Sequence, residues 1–196
     1  MKPEWGDFLL ILLAYGLGSL PTGLWLGLAF RGIDIRLHGS KNIGATNTMR
    51  VLGKKLGAAA LAGDMAKGLL AVLVVARFGA WVHLPLACGI AAIFGHTFSV
   101  FLKFRGGKGV ATSAGVFLGL APYAIVVAGI VFGLVLALTR MVSAGSVAAA
   151  VALAVSAFIF PLATPVQVTI VVVSALVIIK HRDNIRRILK GIENKI

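Results

Sequence analysis

The chain has 196 residues, of which 59% are hydrophobic and 13% charged, with a mean hydropathy of +1.00, more apolar surface than a soluble core of this length can hide. A net charge of +13 would point to nucleic acid in a soluble protein; here it bears first on membrane orientation, and no nucleic-acid partner is implied. Cys88 is the only cysteine, which excludes a disulfide framework and a cysteine-based metal site.

The first residues, up to Asp7, lack the basic start and small-residue cleavage site of a secretory signal, so Phe8 onward reads as a retained span. Six apolar blocks follow: Phe8 to Phe30, Gly57 to Phe78, Leu84 to Leu102, Val110 to Thr139, Val142 to Pro161 and Thr164 to Ile179. At ~1.5 Å per residue the fourth would make a helix of about 45 Å, too long for a ~30 Å hydrocarbon core, and Pro122 near its middle would break it. A turn at Ala121-Pro122 gives seven spans. With the N-terminus outside, sixteen lysines and arginines then fall on the cytoplasmic side and only Lys2 and Arg77 on the other, with Lys67 inside a span. The expected fold is therefore all-α: one polytopic integral membrane domain over residues 1–196, of about seven transmembrane helices with cytoplasmic active-site loops. The spans from Gly109 to Ala121 and from Thr164 to Ile179 are short for a crossing, which predicts burial among neighbouring helices.

The first cytoplasmic loop, from Arg36 to Arg50, is dense in small, hydroxyl and amide residues. Gly39, Gly44 and Ala45 would let backbone N–H groups approach an anion, Ser40, Asn42, Thr46 and Asn47 add side-chain donors, and Arg50 adds a charged fork. A solvated connector has a similar composition. The third loop, Lys103-Phe-Arg-Gly-Gly-Lys-Gly109, leads into a helix, so Gly106, Gly107 and Lys108 would bring N–H groups, a helix N-terminus and an ammonium to one point. It is not a Walker A loop, because no glycine lies five residues before Gly107 and no Ser or Thr follows Lys108. Ser143 and the run His181-Arg-Asp-Asn184 fall at the same membrane face. Asp64 and Lys67, three apart in the second block, read as a neutralising pair on the helix surface that braces the loop. His96 reads as a helix-end residue.

Gly18-Ser-Leu-Pro-Thr-Gly23, Gly39-Ser-Lys-Asn-Ile-Gly-Ala-Thr-Asn47, Asp64-Met-Ala-Lys-Gly68, Gly95-His96, Phe104-Arg-Gly-Gly-Lys-Gly-Val-Ala-Thr112 and His181-Arg-Asp-Asn184 together resemble the bacterial acyl-phosphate:glycerol-3-phosphate acyltransferase (PlsY) family. Lys41, where that family usually has glycine, and Ser99, where it usually has proline, depart from the pattern. The resemblance implies transfer of an acyl group from acyl phosphate to the sn-1 hydroxyl of glycerol 3-phosphate. The products are lysophosphatidic acid and phosphate, with no metal, cofactor, coenzyme A or acyl carrier protein. It places glycerol 3-phosphate near Arg50, Lys108, Ser143, His181 and Asn184, the acyl-phosphate head on Ser40 to Asn47, and the acyl tail between helices in the lipid bilayer of the inner membrane. Arg50, Lys108, Ser143 and His181 would carry the catalysis. A substrate phosphate oxygen or His181 would take the hydroxyl proton.

An acyltransferase class built on a His-x-x-x-x-Asp pair is excluded, since Ile43, Cys88, Phe101 and Arg186 follow the four histidines at that spacing. A transporter or channel for an anionic solute is the alternative from another class. Against it, the polar residues collect at one face and no inverted repeat is visible.

Overall fold

The computed structural model describes residues 2–196, all helices and loops among the described residues, and divides into two compact units at Gly119-Leu120. Helices α1 (Trp5–Ser19) and α2 (Thr22–Arg31) open the first unit. The Glu4 N–H donates to Asp7 Oδ2 at 2.9 Å and closes the start of α1. The block read as one span from Phe8 to Phe30 is instead a pair bent by 46°. Pro21, without an N–H and with its ring against the preceding turn, explains the break.

The first loop then leads to α3 (Ala45–Leu52) and α4 (Lys54–Leu73), followed by α5 (Leu84–Thr97), a 3-10 turn over Val100–Leu102 and α6 (Val110–Leu120). Small residues let these helices touch by their backbones: a Cβ on Gly18 would collide with the Ala92 backbone, and one on Gly115 with the Met65 carbonyl. Ala14, Ala71, Leu84, Cys88 and Ala92 fill the core between α1, α4 and α5. A second apolar cluster, Leu24, Ile35, Ile43, Leu52 and Leu102, supports the first loop from beneath. At Ser99 the chain is already past the end of α5, and its hydroxyl donates to the Ser19 carbonyl. The helix thus ends there without the family's proline.

In the second unit α7 (Pro122–Thr139) starts where the sequence sets the break, and α8 (Val142–Ile159), α9 (Thr164–Lys180) and α10 (Arg182–Leu189) follow. Among the described residues four helices are individually long and apolar enough to cross a membrane, and up to six spans result if each bent pair counts as one, the second pair being α9 and α10 at 56°. The eleven-residue α6 is the short segment at the remaining position. It is buried as expected, with Val116 and Phe117 at 0% exposure, whereas α9 leaves Val168, Val172 and Ile179 exposed along one side. That face is apolar because lipid, not protein, is its solvent.

Candidate active site

In the first unit the loop ahead of α3 is built around one buried amide. Asn47 Oδ1 accepts the Ser40 N–H at 2.8 Å, and its Nδ2 faces the carbonyls of Ile35, Asn42 and His38 at 2.9, 2.8 and 3.2 Å. With two hydrogens and three carbonyls around it, that amide holds the loop from behind and presents no donor to an anion. Asn42 Oδ1 accepts the Gly44 N–H at 2.9 Å, so this N–H, expected to meet phosphate, instead closes a turn. What faces outward is the Ser40 side, half-buried Thr46 and, one helical turn further, the exposed guanidinium of Arg50, with the first-turn N–H groups of α3. Lys41 has φ +57, the left-handed region that glycine adopts without strain, which accounts for glycine being usual at this position.

The third loop folds back on the end of α5. Gly107 N–H donates to the His96 carbonyl at 3.0 Å and Gly106 N–H to the Thr97 carbonyl at 3.1 Å, satisfying carbonyls that a helix end leaves open. These two N–H groups are therefore directed to the end of α5. The glycines serve close approach: a Cβ on Gly106 would strike the His96 carbonyl and one on Gly107 the His96 ring. Half-buried Lys108 and Gly109, at φ +80, then lead into α6, whose first N–H groups and positive dipole end lie beside them. The buried hydroxyls of Thr97, Thr112 and Ser113 cluster at this helix start without hydrogen-bond partners.

Behind the loop, Asp64 and Lys67 pair at 2.9 Å, but at 2% and 4% exposure they are buried and not on a helix surface as the spacing had implied. His96 joins them, its Nδ1 2.9 Å from Lys67 Nζ. An open cavity of about 430 Å³ elsewhere in this unit, lined by Phe30, Arg31, Leu52 and the start of α4, contains none of the residues that the sequence marks.

In the second unit Ser143 lies in the first turn of α8, and His181 and Asn184 flank the bend between α9 and α10; all three are buried. The sequence reading missed their partner. Glu193, 3% exposed, accepts from Ser143 Oγ at 2.7 Å and Asn184 Nδ2 at 2.6 Å on one oxygen, and from Arg187 Nε at 2.7 Å on the other. Burial pushes its carboxyl up, but the three hydrogen bonds outweigh this and hold it below the usual carboxylate range. His181 Nδ1 lies 2.7 Å from the Val177 carbonyl, which can only accept, so Nδ1 carries a proton, and whenever the ring is neutral Nε2 is its acceptor. The signal for Glu193 was slight: it is the only carboxylate after Asp183.

The sequence profile of the glycerol-3-phosphate acyltransferase family matches residues 8–191. Among curated relatives, the glycerol-3-phosphate acyltransferase of Streptococcus equi subsp. zooepidemicus is 48% identical, covering 96% of this chain and 91% of its own. That of Trichlorobacter lovleyi is 49% identical over 93% of each chain. A crystal structure of PlsY (YgiH), an integral membrane glycerol 3-phosphate acyltransferase, in its glycerol 3-phosphate form superposes with a TM-score of 0.90 at 35% identity, covering 97% of this chain and 95% of that one. Its lysophosphatidic acid form gives 0.87 at the same identity, with 96% and 94% covered.

Proposed function

The chain belongs to the glycerol-3-phosphate acyltransferase family, an integral membrane acyltransferase, and from that premise we propose that it acylates the sn-1 hydroxyl of sn-glycerol 3-phosphate with acyl phosphate as donor. The products are 1-acylglycerol 3-phosphate and phosphate. The glycerol oxygen bonds to the acyl carbon, the bond from that carbon to the phosphate oxygen breaks, and the phosphate leaves with the electron pair. The hydroxyl proton passes to a phosphate oxygen, with His181 Nε2 the alternative acceptor.

The observation that carries the reading is the start of α6, where Lys108, a helix N-terminus and the buried hydroxyls of Thr97, Thr112 and Ser113 come together, the groups that an anion would need. An acyl phosphate is already an activated anhydride, so no covalent enzyme intermediate is needed. Catalysis reduces to alignment and to stabilising charge that develops on the phosphate and the carbonyl oxygen. In the first unit, Lys108 and Arg50 supply that charge, and the face made by Ser40, Thr46 and the first turn of α3 receives the acyl-phosphate head. In the second unit, Ser143 has committed its proton to Glu193, so its oxygen meets a glycerol hydroxyl as an acceptor.

On the same reading the protein lies in the bacterial cytoplasmic membrane with its N-terminus outside and its C-terminus in the cytoplasm, as the sixteen-to-two division of basic residues favours. The acyl tail of the donor then stays in lipid while its head reaches the loops. Turnover of purified protein with glycerol 3-phosphate is expected with palmitoyl phosphate and not with palmitoyl-coenzyme A. Comparable rates with both donors would overturn the donor assignment.

A further inference from the structure

The acyl transfer just described gives no part to the buried cluster behind the third loop. Lys67 is at its centre. Its Nζ hydrogen-bonds the Leu20 carbonyl at 2.9 Å and His96 Nδ1 at 2.9 Å, and pairs in charge with Asp64 Oδ1 at 2.9 Å. The Leu20 carbonyl is at hand because Pro21 breaks the first span beside it. All three side chains are at least nine-tenths buried.

An ion pair sealed in a helix bundle is expensive to bury, and apolar residues of similar volume would pack the same space as well. What apolar residues would not do is orient an imidazole. An ammonium only donates, so His96 Nδ1 accepts; at 3.7 Å Asp64 is too far to take a proton from that atom. The ring is thereby neutral, with its proton on Nε2. Nε2 in turn lies against Gly107, where a Cβ would collide with it, while the His96 carbonyl accepts the Gly107 N–H. His96 thus grips by ring and backbone the residue that precedes Lys108.

We propose that Asp64, Lys67 and His96 are positioning residues, a chain in which the ion pair fixes the imidazole, the imidazole fixes Gly107, and Gly107 sets where Lys108 meets the substrate phosphate. The proposal rests on Lys108 acting on that phosphate.

Three variants separate positioning from mere packing. In His96→Asn the amide reaches the place of Nδ1 and keeps Lys67 company but lets go of Gly107; in His96→Gln the amide reaches the place of Nε2. Displacing a reacting group by about an ångström costs up to about a hundredfold in rate. His96→Asn is therefore expected to lower kcat/KM for glycerol 3-phosphate by tens of fold, toward about a hundredfold, with His96→Gln recovering most of the loss. In a Lys108→Ala background the same His96→Asn change is expected to alter the residual rate by no more than about twofold, because residues that act through one another are not additive. Full losses that add on top of Lys108→Ala would overturn the proposal, as would wild-type kinetics in His96→Asn. Equal losses of activity and melting temperature in the Asn and Gln variants would assign the cluster to folding and also overturn it. Near-wild-type turnover in Lys108→Ala alone would instead refute the phosphate role of Lys108, and the proposal would fall with it.

Discussion

Arg187 Nε donates to Glu193 Oε2 at 2.7 Å, and that contact ties α10 to the tail that follows it. Its neighbour Arg186 has no such partner; it reaches only the exposed Asp183, at 3.7 Å. The structure thus sets Arg187 apart from its neighbour. Removing Glu193 takes the shared acceptor from two buried donors, Ser143 and Asn184, so Glu193→Ala is expected to cost about 1–3 kcal/mol of stability. Arg187→Ala is expected to cost less, about 1 kcal/mol, since its side chain is partly in water. Arg186→Ala is expected to stay within about 0.5 kcal/mol of wild type. Thermal unfolding of the three variants in detergent checks the order.

The same carboxylate predicts a pH dependence. Hydrogen bonds hold the Glu193 carboxyl below its ordinary value despite burial, so folding favours its ionised form. That stability is complete above the ordinary glutamate value of about 4.3 and is lost as pH falls through the lower, folded one. Melting temperature measured against pH is expected to drop in acid for the wild type, and Glu193→Gln to show a smaller acid decline from a lower starting point. An unchanged acid limb in the variant would show that other carboxyl groups set it.

Orientation is tested within the second unit. Single cysteines at Tyr123, 73% exposed, and at exposed Arg140 mark the two ends of α7. In a Cys88→Ala background Tyr123→Cys is expected to react with an impermeant thiol reagent from outside the cell, and Arg140→Cys only after the membrane is opened. The reverse pattern would invert the topology.

The spans were legible because bilayer thickness fixes helix length, and Pro122 announced the break in a block too long for one crossing. Pro21 is as plain, yet the block around it has the length of a single span, so length alone gave no reason to divide it. The Asp64 and Lys67 pairing follows from helical spacing. Their union with His96, 29 positions from Lys67, depends on how α4 and α5 pack, and so does their burial. Composition cannot say whether the N–H groups of Gly106 and Gly107 turn to a ligand or to the helix before them, and in the structure they turn to the helix. Glu193 escaped notice because its bond to Ser143 joins residues 50 apart, and a glutamate in a basic polar tail looks solvated.

The account stands most directly on Lys108, with Arg50 beside it in the argument. A cation next to a phosphate that gains charge as it leaves interacts more strongly in the transition state than before it. Steady-state kinetics of Lys108→Ala with palmitoyl phosphate and glycerol 3-phosphate is the measurement. The account predicts a fall in kcat at saturating substrate and a loss of about 2–4 kcal/mol in kcat/KM, with Arg50→Lys also impaired because an ammonium lacks the guanidinium's two-point grip. A Lys108→Ala enzyme that keeps wild-type kcat and shows only a raised KM for glycerol 3-phosphate would contradict it.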